Sequence, residues 1–224
     1  MPQRIIDQIL KVFKLTNEIS QFDVLTQKER ETLALTLTRD TGDGPKPELK
    51  LKIYSLILYL KAKIRKPFGL LIVLGWRREW NRKYSAILDI NQDIFHEKHF
   101  NFEEKSFVQC ADVFRRTMDF DGAILISREG HVLASGVYLE NMKPKRVAEI
   151  IHPSRIEDLS AAFGFAKKVH TRHLSAIASS YILKDTTVFV LSEEDRSARI
   201  FEDGRIIWST IDSEIKRIIR EEND

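Results

Sequence analysis

The chain has 224 residues, 43% of them hydrophobic and 31% charged, a composition that excludes a disordered or fibrous protein. Its length allows one large domain or a domain with an appendage. A net charge of +3 and a pI near 8.9 are only mildly basic; they tolerate a polyanionic ligand without demanding nucleic acid, which would gather Lys and Arg along one face.

The amino terminus, MPQRIIDQIL, lacks the apolar core and cleavage site of a signal peptide. No apolar run approaches the roughly 18–20 residues that span a bilayer, so a cytoplasmic protein without membrane partners is expected. Ile5, Ile6, Ile9, Leu10, Val12 and Phe13 recur at helical spacing. Thr26-Gln27-Lys28-Glu29 matches a capping box that opens a helix from about Gln27 to Arg39. The loop Thr41-Gly42-Asp43-Gly44-Pro45 closes this helical segment, residues 1–45, ahead of a main domain, residues 46–224.

Pro47 suits the first turn of a further helix, which carries Leu49, Ile53, Leu56, Ile57 and Leu60 inward and stops at Pro67. The basic stretch Lys61 to Lys66 reads as the solvated end of that helix. Residues 69–75 read as a strand buried on both faces, and Trp76 to Phe100 stays unassigned. Glu103–Met118 is predicted helical and holds Cys110, the chain's one cysteine, which can form no intramolecular disulfide. Strands are expected at Ala123–Ser127 and His131–Gly136, around the turn Glu129-Gly130, and helices at Ile156–Lys168 and Arg172–Leu183. The strand Thr186–Ser192 precedes a hairpin, Ala198–Phe201 and Arg205–Ser209, turned by Asp203-Gly204. Ile211–Arg220 reads as a closing helix. Helices alternating with strands and hairpins predict an α/β fold with a mixed sheet.

Three clusters could carry chemistry. Asp121-Gly122-Ala123 puts a carboxylate and a permissive glycine just before a buried strand, although turn chemistry alone also accounts for Asp-Gly. His170-Thr171-Arg172-His173-Leu174 lies at a loop-to-helix junction. A helix start is a ready phosphate site, and Arg172 adds a planar fork suited to phosphate oxygens; the plain alternative is an N-cap threonine followed by surface residues. Ser192-Glu193-Glu194 ends a strand, where carboxylates can hold a hard cation such as Mg²⁺ or Mn²⁺ or merely form a polar turn.

Together and in this order, Asp121-Gly122-Ala123, Thr171-Arg172-His173 and Ser192-Glu193-Glu194 resemble the signature motifs of the diadenylate cyclase family, in its DisA-type nucleotide-binding domain. The resemblance covers roughly Phe68 to Trp208. It implies a mixed twisted sheet flanked by helices, and a metal-dependent condensation of two ATP molecules into cyclic di-AMP between the faces of a homodimer or higher homo-oligomer. By this resemblance Asp121, Arg172 and His173 would be catalytic. Gly122, Ala123, Thr171, Arg172, Ser192 and Glu193 would bind the nucleotide. Asp121, His173 and Glu194 would hold Mn²⁺ or Mg²⁺. The family's common form of the second motif is Gly-Thr-Arg-His-Arg; His170 and Leu174 depart from it here, as in archaeal-like members, so that either ATP binding is weakened or Lys167 or Lys168 substitutes for the lost arginine.

Two rival readings follow from the same residues. One keeps the fold as an impaired sensor of ATP or cyclic di-AMP; the other makes the chain an interaction module docking through its amino-terminal helices. Those helices, Ile5–Arg39, could alternatively gate the encounter of two subunits or serve as a packing extension.

Overall fold

The computed structural model describes residues 27–37, 43–86, 95, 99–153 and 157–215. The expected helix at Ile5–Phe13, the Thr26 cap and most of the tail helix lie outside them. The elements in chain order are α1 (Gln27–Leu37), α2 (Pro47–Lys63), β1 (Leu70–Trp76), β2 (Tyr84–Ala86), α3 (Phe107–Thr117), β3 (Ala123–Ser127) and β4 (Val132–Leu139). They continue with α4 (Pro144–Ile151), the single turn α5 (Leu159–Ala162), α6 (Thr171–Ile182), β5 (Thr187–Leu191), β6 (Ala198–Glu202) and β7 (Arg205–Ser209).

Among the described residues, seven strands form one mixed sheet in the order β2-β4-β3-β1-β5-β6-β7. Only β1 and β3 run parallel, and every other neighbouring pair is antiparallel. Alternate residues of β1 serve the two faces, as a strand covered on both sides requires. Leu70, Ile72 and Leu74 join the core under α1, α2 and α3, whereas Leu71 and Val73 join the core under α4 and α6. Helix α2 is buried on most of its circumference and carries Lys50 and Lys52 inward with its leucines. Both lysines are satisfied there. Lys50 Nζ meets Glu202 Oε1 at 2.7 Å, and Lys52 Nζ donates to the carbonyls of Phe102 and Lys105 at 2.7 and 2.6 Å.

Several boundaries differ from expectation, each for a local reason. Helix α3 begins at Phe107, not near Glu103, because Ser106 and Gln109 form a reciprocal capping box there. The helix expected over Ile156–Lys168 shrinks to the one turn α5. Asp158 caps it, Gly164 ends it at φ 82°, and the N–H groups of Ala166 and Val169 turn to Glu214 Oε1 and Ser160 Oγ. Helix α4 was not foreseen; it starts on Pro144. The unassigned stretch after β1 holds a 3-10 turn, Arg78–Trp80, and the short edge strand β2. Asp203 and Gly204 both take positive φ, 47° and 73°, as the expected two-residue hairpin turn demands. No helix among the described residues is long and apolar enough to cross a membrane.

Candidate functional site

The strand registers decide where the three clusters go. Because β1 and β3 are parallel, with Ile72 beside Ile124, the starts of the two strands share one end of the sheet. Because β5 is antiparallel to β1, with Leu191 beside Leu70, its end lies there too. Asp121-Gly122 precedes β3 and Ser192-Glu193-Glu194 follows β5, so both clusters flank the start of β1. Helix α6 brings the remaining cluster to the same end: Arg172 Nη1 lies 3.9 Å from Glu193 Oε2, and His170 Nε2 lies 3.7 Å from Glu194 Oε1.

Asp121 is exposed at this end. Gly122 takes φ +87°, and a β-carbon there would stand 2.6 Å from the Val137 carbonyl oxygen. Glycine is thus required by the close approach of β4 as well as by the backbone angle. Ala123 is fully buried and pairs with Val137.

Thr171 is the first residue of α6 and is exposed. The N-cap is His170, not the threonine, and its side chain makes no capping hydrogen bond, so it does not occupy the first-turn N–H groups. Arg172 lies across Gly69. A β-carbon on Gly69 would fall 1.8 Å from Arg172 Nη1, so the glycine before β1 provides the space for the guanidinium. This contact was not foreseen; a lone glycine at the mouth of a buried strand was its signal. Gly69→Ala should displace only the flexible tip of Arg172, leaving the melting temperature within about 2 °C in a thermal melt.

The ion pairs here are long and solvent-exposed. Arg172 and Glu193 side chains are 30% and 57% accessible, and such pairs contribute about 1 kcal/mol or less. A polyphosphate can therefore displace the carboxylate from Arg172 at little cost. Asp195 is held more firmly. Burial alone would raise its pKa, but Lys167, Ser197 and Ser192 hydrogen-bond to it and hold it well below the usual carboxylate range. Ser192 is buried inside this loop, where its hydroxyl meets the Asp195 N–H at 3.4 Å and its own N–H donates to the Ser197 carbonyl at 2.8 Å.

His173 points the other way. It is buried, and its Nε2 lies 2.9 Å from Arg199 Nη1. A guanidinium can only donate, so Nε2 is the acceptor and the ring is neutral with its proton on Nδ1. Arg199 is in turn held by Glu214, Nε to Oε2 at 2.8 Å and Nη2 to Oε1 at 3.0 Å, and donates to Ser197 Oγ at 2.6 Å. Glu214 also accepts from the Ser209 hydroxyl at 2.5 Å and from the Ala166 N–H at 2.9 Å. Burial first, then the neighbouring Arg199 charge, pushes the His173 pKa down to about 4. This network anchors the first turn of α6 to the sheet from beneath.

The fit of a resident metal follows from these positions. Asp121, His173 and Glu194 do not converge, and no group of three or more His, Cys, Asp or Glu among the described residues is arranged to hold a metal ion. His173 Nε2 is committed to Arg199. Within one copy of the chain, the expected ligand set therefore does not form a metal centre. Leu174, where the resembling family carries its second arginine, packs against the hydrophobic core.

No family model matches the chain, and no curated protein matches it. Among solved structures it is similar to a double-cysteine variant of DacA from Staphylococcus aureus, at 20% identity and a TM-score of 0.41, covering 78% of this chain and 94% of that one. It is also similar to a hypothetical membrane spanning protein from Bacillus cereus, at 17% identity and a TM-score of 0.45, covering 91% and 89% of the two chains.

Proposed function

We propose that the chain is a diadenylate cyclase, with ATP as substrate and a homodimer as its smallest active unit. The observation that supports this most is the meeting of the three motifs at one sheet end, across β3, β1 and β5, with Arg172 beside Glu193 and seated on Gly69. The motifs lie far apart in sequence, and an incidental match has no reason to gather them.

In this reading each subunit holds one ATP. The open first turn of α6 and Arg172 take phosphate oxygens, by N–H donors and by a planar fork. The 3′-oxygen of each nucleotide attacks the α-phosphorus of the other. The new O3′–P bond forms as the bond from the α-phosphorus to the bridging oxygen breaks, and pyrophosphate leaves with the electron pair. The hydroxyl proton passes to a base. Two such transfers give cyclic di-AMP and two pyrophosphates. Asp121 is the exposed carboxylate at this end of the sheet, and in this reading it orients or deprotonates the 3′-hydroxyl. His173 acts from below as a positioning residue, since its Nε2 serves Arg199. Mn²⁺ or Mg²⁺ enters with ATP as the metal–nucleotide substrate. Catalysis then rests on alignment and charge neutralisation rather than on covalent help.

The packed Leu174 favours a second reading, a nucleotide sensor that binds without turnover, because it removes one cation from the phosphate side. Incubating the full chain with ATP and Mn²⁺ or Mg²⁺, with mass analysis of the products, separates the two. Cyclic di-AMP is expected. Intact ATP together with measurable ATP binding would instead identify the sensor, and the absence of both would leave an interaction module.

A further inference from the structure

A cavity of about 380 Å³ lies between the last turn of α2 and the loop joining β5 to β6, lined in part by Lys61, Lys167, Asp195, Arg196, Ser197 and Thr210. Among these, three cations face one carboxylate. The carboxylate is already engaged: Asp195 takes Lys167 Nζ at 2.7 Å, the Ser197 N–H at 2.9 Å and the Ser197 hydroxyl at 2.6 Å. Lys61 is half-buried, and among the described residues no carboxylate stands within ion-pair distance of it. Burial and then the Arg196 charge hold the Lys61 pKa below its ordinary value, with Asp195 only partly opposing. Among the described residues the cavity thus carries an excess of positive charge.

Its walls are fixed. Arg196 occupies the left-handed region at φ 55°, a conformation that costs a non-glycine residue about 1–2 kcal/mol. Its guanidinium holds it there by donating to the carbonyls of Arg65 at 3.1 Å, Ile64 at 2.8 Å and Lys61, all at the end of α2. Thr210 Oγ1 accepts from the Ala198 N–H at 2.9 Å and keeps its own O–H to donate. The cavity also adjoins the site already described. His170–Glu194 and Lys167–Asp195 are successive contacts between the same two chain segments, one on the Arg172 side and one on the cavity wall.

We propose that this cavity receives two adjoining phosphate groups, the β- and γ-phosphates of a nucleoside triphosphate and then the departing pyrophosphate, with Lys61 and Lys167 as its principal cations. The triphosphate part rests on the cyclase reading; the affinity for a diphosphate anion does not. Lys167 can hold Asp195 and a phosphate together, since an ammonium has three donors. The subsite places cations from outside the three motifs where Leu174 offers none.

The test is calorimetric titration of the full chain with inorganic pyrophosphate. Lys61→Ala/Lys167→Ala should weaken binding at least tenfold, and Lys61→Arg/Lys167→Arg should stay within about threefold of the unaltered chain. Lys63→Ala/Lys145→Ala removes the same charge from exposed positions off the cavity and should change affinity by less than twofold. No binding by the unaltered chain, or equal losses in the two alanine pairs, overturns the subsite. Product analysis keeps the two ideas apart. Cyclic di-AMP formation with pyrophosphate affinity unmoved in Lys61→Ala/Lys167→Ala sinks the subsite alone. Lost affinity in that variant, from a chain that leaves ATP intact, upholds the subsite and sinks the cyclase.

Discussion

Asp121→Asn is expected to lower cyclic di-AMP formation by about 10²–10⁴-fold, the range in which a positioned acid or base contributes, while ATP affinity changes by less than about threefold. The substitution is nearly isosteric and the side chain is exposed, so the melting temperature should not move by more than about 1 °C. The asymmetry between rate and affinity carries the information. On the proposed cyclase reading, Arg172 and the α6 N-terminus, on the phosphate side, bind ground state and transition state alike, whereas Asp121, across β1 from them, meets the attacking hydroxyl. Loss of an interaction made only in the transition state lowers kcat without raising KM. Initial rates followed by mass analysis, beside calorimetric ATP binding, distinguish the cases. Unchanged product formation would remove Asp121 from the mechanism, and an equal loss of affinity would make it a binding residue instead.

Legibility in the sequence followed the kind of information each feature needs. β1 and the β6–β7 hairpin were readable because a continuous apolar run and an Asp-Gly turn are local signals. Helix α2 was readable through its inward leucines, yet its inward Lys50 and Lys52 were not, because their partners Glu202 and Phe102 arrive from distant segments. The α5 region failed for the same reason. Its apolar spacing suits a helix, but Glu214 and Ser160 claim the backbone N–H groups that a helix would use. Within the candidate site, the motif residues could be picked out by type and order. Their assembly could not, since it depends on β1 lying between a parallel β3 and an antiparallel β5. His173 marks the sharpest limit: beside Arg172 it reads as one more polar group of the motif, and only the buried Arg199, tied to Glu214 in the tail, turns it inward.

That inward turn makes acid stability the second strong expectation. The His173 pKa, held at about 4 by burial and by Arg199, lies below the ordinary histidine value near 6.5. On acidification the unfolded chain therefore takes up the proton first, and stability falls as the pH drops from about 6.5 to about 4, by on the order of 3 kcal/mol. Glu214 acts in the same direction at lower pH. Burial works to raise its pKa, but hydrogen bonds from Arg199, Ala166 and Ser209 outweigh this and lower it. Its contribution is present above the unfolded carboxylate value, about 4.3, and is lost as the pH falls through the lowered one. Denaturant unfolding at pH 7, 6, 5 and 4 should show the decline, and His173→Gln should flatten its upper part; an identical slope in that variant would free His173 of the effect. Arg199→Met is the harsher change, because it leaves the Glu214 carboxylate buried without its partner, at a cost of about 3–5 kcal/mol near neutral pH. It also releases the underside of α6, so any folded fraction should bind ATP more weakly than the unaltered chain, although Arg199 lies beneath the site and faces away from it.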